Sequence, residues 1–448
     1  MGKAKFSGSR FHLLSSYACV LHRKRLAYVS MRSFFLPGSP YCGYCQHPEL
    51  LTQEVDNSII WSLGENMVTL PKENIWTSFD PKRQANWQSL SIQDQVQLHS
   101  LLRAGFIQST FNLGGEIIAR RELCSTSLHQ AKRPPRPWVL SRFALIRRQE
   151  DNFLVESPCA YSRVIFQKPE IAQLLCSAQR PDKEFSQHDL HLLEFFCDSG
   201  LLVSSQEKEP QEWTHHELLF HSRSRSGRSH PRRRPYSSDL PPLVRPPISD
   251  DITELPCKAP SDSKPLSQLL QVRRSKRDSG EESLTIDSLS EFLSRSLEVL
   301  SSSDDVSRRP TPSAGALHEL EVYLGVNNCP GLEKGLYRYN PFEHHLEKAA
   351  SECGKLLSNA ASGQGTETLP GVLVIIAARF ARSSWKYGGY SYSLTLKNAG
   401  ALMQTMSLVA TDLGLGSCCS GRGDSDEFAR LTGLKYEIEG SVAEFTLR

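Results

Sequence analysis

At 448 residues the chain exceeds what one ordinary core accommodates, and about three domains are expected. Its 52 basic and 49 acidic side chains leave a net charge of +3, too weak a field to imply a nucleic-acid partner. The longest purely apolar run, Val372 to Ala378, is too short to cross a bilayer and reads as a buried strand, so no membrane partner is expected either.

The first 48 residues carry Lys3, Lys5, Arg10, Arg23, Lys24, Arg25 and Arg32 and no acidic residue. They lack the charged, apolar and small-residue order of a secretory signal, so an exposed basic segment and a cytoplasmic location are expected. The twelve cysteines are thinly spread and read as reduced thiols. Cys42 and Cys45 form one C-x-x-C near His47, with no second pair to complete a four-ligand zinc site.

A degenerate repeat with a constant offset of 95 residues follows. Asp151-Asn152-Phe153-Leu154-Val155 matches Asp56-Asn57-Ser58-Ile59-Ile60, and Asp189, Leu193, Phe196, Gly200, Leu201 and Leu202 match Asp94, Leu98, Leu101, Gly105, Phe106 and Ile107 (189 − 94 = 95). In each copy a turn leads into a short strand, and a later helix ends at a glycine suited to a left-handed C-cap before another strand. Helix, helix and small strands suggest two winged-helix-like modules, residues 1–115 and 139–221. The helix expected from Ser186 to Ser199 contains Asp189, Glu194 and Asp198 and no Lys or Arg, which argues against DNA reading. Docking of a peptide remains open.

Residues 222–262 are rich in Ser, Arg and Pro, including Arg232-Arg233-Arg234 and Pro241, Pro242, Pro246 and Pro247, and read as a solvated linker. From residue 263 to 448 helices and strands alternate in an α+β domain. Leu284 to Leu300 has helical spacing, and Leu320 to Val326 and Gly335 to Asn340 are strand-like. Leu402, Met406, Val409 and Leu413 mark a helix face that ends at Gly414.

Four segments of this domain point to chemistry. Arg273-Arg274-Ser275-Lys276-Arg277 offers forked cationic donors that suit a phosphate, though a basic surface loop would look similar. Pro312-Ser313-Ala314-Gly315 follows Arg309-Pro310-Thr311, a stiff run of small residues that lets backbone approach a flat ligand, or else a plain turn. Trp385-Lys386-Tyr387 follows Arg379 and Arg382. Gly414-Leu415-Gly416-Ser417 offers backbone donors after a helix, or simply a C-cap.

In this order the four segments resemble the flavin-dependent nitroreductase superfamily, and more narrowly its SagB-type dehydrogenases of thiazole/oxazole-modified peptide biosynthesis. The resemblance runs on through Leu396-Lys397-Asn398-Ala399-Gly400 to Gln404-Thr405-Met406, Gly423-Asp424-Ser425-Asp426 with Phe428-Ala429-Arg430, and Ser441-Val442-Ala443-Glu444-Phe445. Leu140-Ser141-Arg142-Phe143, Val155-Glu156-Ser157-Pro158 and the stretch from Trp213 to Arg228 are similar to what precedes that catalytic domain. The chain ends Phe445-Thr446-Leu447-Arg448, where family members often have Phe-x-Leu-Gly.

The resemblance implies an FMN cofactor, with Arg273, Arg274, Ser275 and Arg277 at its phosphate and ribityl chain. It places Pro312, Ser313, Ala314 and Gly315 at the ring, contributed by the other subunit of a homodimer, and Gly414, Leu415, Gly416 and Ser417 near the reactive edge. Lys386-Tyr387 matches the pair to which the family's dehydrogenase activity is attributed. The implied partners are an azoline-containing precursor peptide and a cyclodehydratase complex of the YcaO type.

Such an enzyme removes an acidified Cα proton and a Cβ hydride from an azoline, and the ring becomes aromatic. Lys and Tyr both have ordinary pKa values near ~10, so burial beside a second cation, with Arg379 and Arg382 close in sequence, is the expected way to make one of them a base. Two other readings stand beside this one: an NAD(P)H-dependent reductase of quinones or nitro compounds, and a catalytically inert peptide-docking subunit.

Overall fold

The computed structural model describes residues 42–48, 50–55, 58–63, 66–71, 91–124, 133–180, 183–225, 239–256, 262–277 and 280–448. They divide into two compact units between residues 234 and 235. None of the helices among the described residues is long and apolar enough to cross a membrane.

The first unit contains β1 (Cys42–Gln46), β2 (Leu51–Val55), β3 (Ser58–Leu63), β4 (Asn66–Pro71), α1 (Ile92–Ala104), β5 (Ile107–Leu113) and β6 (Glu116–Leu123). It continues with β7 (Trp138–Leu140), β8 (Leu145–Gln149), β9 (Asn152–Glu156), β10 (Ser162–Phe166), α2 (Pro169–Ser177), α3 (Gln187–Asp198), β11 (Leu202–Ser204) and α4 (His215–Arg223). The 95-residue offset is visible in this order. Helix α1 starts at Ile92 and α3 at Gln187 (187 − 92 = 95). Each is N-capped by a serine, Ser91 or Ser186, whose hydroxyl accepts from the backbone N–H of Asp94 or Asp189 at 3.2 Å. Gly105 (φ 83°) and Gly200 (φ 74°) then take the left-handed conformation beyond each helix.

Strand pairing repeats as well. The first strand of each copy pairs with the strand after the capped helix, β1 with β5 and β7 with β11. Each copy also holds an antiparallel meander, β2-β3-β4 or β8-β9-β10. Strand β6 pairs with both β5 and β10 and stitches the copies into one six-stranded sheet, β1-β5-β6-β10-β9-β8. Among the described residues four strands precede the capped helix of each copy, with α2 between them in the second, so the plainer description of a meander, a capped helix and a closing strand replaces the winged-helix expectation. The first copy's expected central helical stretch falls largely outside the described residues. Asp56 and Asn57, expected to turn into the first copy's strand, lie outside the described residues.

The second unit contains β12 (Ile252–Glu254), α5 (Leu266–Val272), α6 (Ile286–Leu297), β13 (Ser301–Ser303), β14 (Val306–Arg308), β15 (Leu320–Val326), β16 (Gly335–Asn340), β17 (His345–Ala350) and α7 (Gly354–Gly363). After these come β18 (Val372–Arg379), α8 (Phe380–Tyr387), α9 (Ser391–Asp412), β19 (Ser417–Ser420), α10 (Ser425–Thr432) and β20 (Glu439–Leu447). Its sheet has the order β12-β17-β16-β15-β18-β20-β19, antiparallel throughout. Helices cover both faces. Val372, Val374 and Ile376 pack with Phe292 and Leu293 of α6 and Leu402 and Met406 of α9. Leu373, Ile375 and Ala377 pack with Leu356 and Leu357 of α7 and Phe428 of α10. That double cover is why β18 is apolar at every position from Val372 to Ala378 rather than at alternate ones. Each such Val, Leu, Ile, Phe or Met side chain contributes about 1.5–3 kcal/mol by leaving water.

The 222–262 stretch departs from the solvated linker expected. Its residues 239–256 belong to the second unit. The carbonyls of Pro242 and Pro246 accept from Arg379 (2.8 Å) and Arg338 (3.1 Å), and that of Pro241 accepts from Arg382. The Ile248 N–H donates to Glu347 at 2.8 Å, Arg245 pairs with Glu439 at 2.6 Å, and β12 extends the sheet beside β17. A proline brings a carbonyl and no N–H. A proline-rich run therefore cannot pair as a central strand, yet it presents acceptors that guanidinium donors capture.

Candidate functional site

The run after Arg309 folds into a tight loop before β15. Ala314–Ala316 form one 3₁₀ turn, and Gly315 (φ 64°), Ala316 (φ 55°) and His318 (φ 44°) are all left-handed. For the two non-glycine residues this costs on the order of 1–3 kcal/mol each, so the surroundings must hold the loop. Glu319, fully buried, and Asn398 of α9 do so. Asn398 Nδ2 donates to Glu319 Oε1 (2.8 Å) and Ser313 Oγ (3.3 Å), and Asn398 Oδ1 accepts from the Ala314 N–H (3.2 Å). Ser313 Oγ donates to Glu319 Oε2 (3.2 Å) and accepts from the His318 N–H (3.1 Å). Burial, with Arg309 nearby, pushes His318 down to about 4, so its ring is neutral at neutral pH.

Lys386 and Tyr387 end α8, where Gly388 caps the helix with φ 49°. Both reach the loop. A Cβ built on Gly315 would lie 2.7 Å from Tyr387 Oη and 3.0 Å from Lys386 Nζ. The structure therefore brings together two of the four segments singled out in the sequence, 312–315 and 386–387, inside one chain. Lys386 is exposed and Tyr387 half-buried.

Arg379 and Arg382 direct their donors to other partners than this pair. Arg382 is fully buried and gives its donors to backbone carbonyls: Leu317 (2.9 Å), Asp305 (2.8 Å) and Pro241. Burial, with Arg379 and Arg309 adding like charge, lowers it to about 10. Arg379 bonds to Glu321 (3.4 Å) and Pro242. These arginines fasten α8 to the loop and to the proline-rich segment.

The other two segments also meet. Arg273 follows α5, and the Lys276 N–H donates to the Ser417 carbonyl at 2.8 Å. The Glu281 N–H donates to Gly414 O at 2.8 Å, and a Cβ on Gly280 would collide with Gly414 O and Gly416 N, so the backbones touch there. Arg274 turns back onto the carbonyls of Gln271 (2.9 Å) and Arg273 (2.8 Å). Ser275 and Arg277 are exposed and Arg273 is half-buried. The side chains of Arg273 and Arg277 make no hydrogen bond or ion pair among the described residues, so their donors are open to an anion such as a flavin phosphate. The backbone of Arg448 pairs with Gly416, at 2.9 and 3.1 Å.

In the closing motif, Glu444 of β20 is buried against Gly423, where a Cβ would stand 2.6 Å from Glu444 Oε1. Burial, with Asp424 close by, raises this carboxyl to about 7. The sequence reading assigned no role to Glu319, Asn398 or Glu444. Glu444 stood as a polar residue inside the apolar run Val442 to Phe445, whereas Glu319 beside His318 and Asn398 beside Lys397 carried no such signal.

Comparison with known proteins matches residues 270–443 to the Nitroreductase family and residues 138–230 to Cyanobactin oxidase ThcOx. The nitroreductase-like protein MJ1384 of Methanocaldococcus jannaschii is 32% identical over 171 residues, covering 38% of this chain and 85% of that protein. The Microcin B17-processing protein McbC of Escherichia coli is 32% identical over 114 residues, covering 24% of this chain and 42% of McbC. Among solved structures, a nitroreductase-like protein of Ralstonia eutropha JMP134 is 24% identical, with a TM-score of 0.37 over 48% of this chain and 95% of that one.

Proposed function

The chain belongs to the nitroreductase family, and we propose that within it the protein is a SagB-type, FMN-dependent dehydrogenase that oxidises thiazolines or oxazolines of a modified peptide to thiazoles or oxazoles. The observation that carries this reading is the convergence of Lys386 Nζ and Tyr387 Oη on Gly315. A proton acceptor and a close-approach backbone stand at one point, as removal of an azoline Cα proton beside a flat cofactor requires. The matches to the cyanobactin oxidase model and to the microcin-processing protein support a peptide substrate.

In this reading Arg273 and Arg277 hold the FMN phosphate, with Ser275 and the Gly414–Ser417 backbone beside the ribityl chain and the reactive edge. Pro312, Ser313, Ala314 and Gly315 lie against the ring. FMN, when bound, supplies the two-electron acceptor for the Cβ hydride, and O₂ restores it. Lys386 and Tyr387 orient the azoline and take its Cα proton. Among the described residues no hydrogen bond joins the 312–319 loop to the 273–282 segment. The likeness to the nitroreductase family supports a homodimer in which the loop and Lys-Tyr pair of one subunit complete the phosphate-binding half of the other. The partners are an azoline-bearing precursor peptide and a YcaO-type cyclodehydratase complex that makes the azolines.

The test is incubation of the purified, flavin-loaded protein with an azoline peptide under air, read by mass spectrometry. Loss of two hydrogens per ring is expected. No loss, together with NAD(P)H-dependent reduction of a quinone, would replace this reading with the reductase.

A further inference from the structure

Five hydrogen bonds link Ser313, Ala314, His318, Glu319 and Asn398, and their donors and acceptors can be counted. Ser313 Oγ accepts from the His318 N–H and from Asn398 Nδ2. Both lone pairs are then used, so its own hydrogen must go to Glu319 Oε2. Glu319 Oε1 accepts the other Asn398 hydrogen. Glu319 must therefore accept at both oxygens, which a carboxylate does and a glutamine cannot. That demand fixes the orientation of the Asn398 amide. Only with Nδ2 toward Glu319 does Oδ1 face the Ala314 N–H, and Ala314 immediately precedes the glycine against Lys386 and Tyr387. Arg309 lies close enough to feel the charge of Glu319, but among the described residues no cation lies within ion-pair distance of it.

We infer that Glu319 is a positioning residue: by accepting at both oxygens it sets the Asn398 amide, and through that amide it holds the left-handed Ser313–His318 loop in register with Lys386 and Tyr387. The inference rests on the proposed dehydrogenase only for its catalytic consequence, because the loop geometry stands without it. Glu319 touches none of the reacting groups. Its effect passes through Asn398.

The count yields a specific test. Glu319→Gln keeps the volume but places a donor where an acceptor is needed, and Asn398→Asp sets two acceptors face to face. Combined, the two substitutions reverse most of the link: Gln Nε2 donates to Asp Oδ2, Gln Oε1 accepts from Ser313, and Asp Oδ1 still accepts from Ala314, with only the bond from residue 398 to Ser313 Oγ lost. Hydrogen–deuterium exchange of residues 313–318 should therefore rise about tenfold in each single variant and fall most of the way back in the double one. Azoline oxidation should fall about 100-fold in kcat with KM little changed, and recover with the double substitution. Ser313→Ala, which removes one hydroxyl and little bulk, should raise exchange at the same amides, and it guards against misfolding of the Glu319 variants. Exchange unchanged in Glu319→Gln or Ser313→Ala, or a double variant no better than the singles, would overturn the inference. If exchange follows this pattern while the wild type leaves azolines untouched, the positioning role stands and the dehydrogenase reading fails.

Discussion

No methyl group fits between Gly315 and Tyr387: a Cβ at 315 would stand 2.7 Å from the phenolic oxygen, well inside contact distance. The backbone at 315 is also left-handed, with φ 64°. Gly315→Ala should displace Tyr387 and add roughly 1 kcal/mol of backbone strain. A fall in azoline oxidation of about tenfold or more and a Tm lower by a few degrees are expected. Gly389→Ala, with open space around its Cβ, is the control and should change neither.

Lys386→Ala and Tyr387→Phe should each retain flavin and fold while losing azoline oxidation by ~10²–10⁴-fold, the usual cost of removing a general base. Flavin absorbance and product mass measured on the same samples separate the outcomes. Wild-type turnover in both variants would place the base elsewhere.

Arg273→Ala combined with Arg277→Ala should release FMN, since each charged hydrogen bond contributes about 1.5–3 kcal/mol. Arg274→Ala should matter less, because one of its nitrogens is already held by the carbonyls of Gln271 and Arg273. The flavin-to-protein ratio after gel filtration checks both. Equal retention in the double variant and the wild type would remove the phosphate assignment.

Glu444 gives a pH signature. Its folded-state pKa is raised from 4.5 to about 7, so between those values the folded chain binds more proton than the unfolded one. The resulting stability is fully present below 4.5, is lost as pH rises through about 7, and stays level above that. Glu444→Gln lacks the titration. Its Tm relative to wild type should climb from pH 4.5 to 7 and then hold, measured by thermal melts across that range. A difference independent of pH would contradict the assignment.

The sequence disclosed what local rules govern. Gly after a helix is a short-range signal, and it located the helix ends of both repeat copies at Gly105 and Gly200. The serine N-caps that the structure shows, Ser91 and Ser186, follow an equally local Ser-x-x-Asp pattern. The apolar run from Val372 read as a buried strand because helices cover both of its faces. What stayed hidden depends on partners distant in the chain. Asn398 and Glu319 are 79 residues apart, and Arg382 lies 141 residues from Pro241. An Arg beside Lys386-Tyr387 reads in sequence as an electrostatic neighbour. The fold instead spends its donors on backbone carbonyls, and nothing within a few residues announces that choice.

The docked proline-rich segment also decides where this polypeptide can be divided. A fragment starting at residue 263, where the sequence pattern changes, would lack β12 and bare the outer edge of β17, an invitation to edge-to-edge aggregation. It would also strip Arg338, Arg379 and Arg382 of the Pro246, Pro242 and Pro241 carbonyls, leaving the guanidinium of Arg382 short of an acceptor in the interior. A cut made before residue 239 keeps all of these contacts. Expression of the two fragments side by side should give a soluble protein from the longer one and inclusion bodies from the shorter.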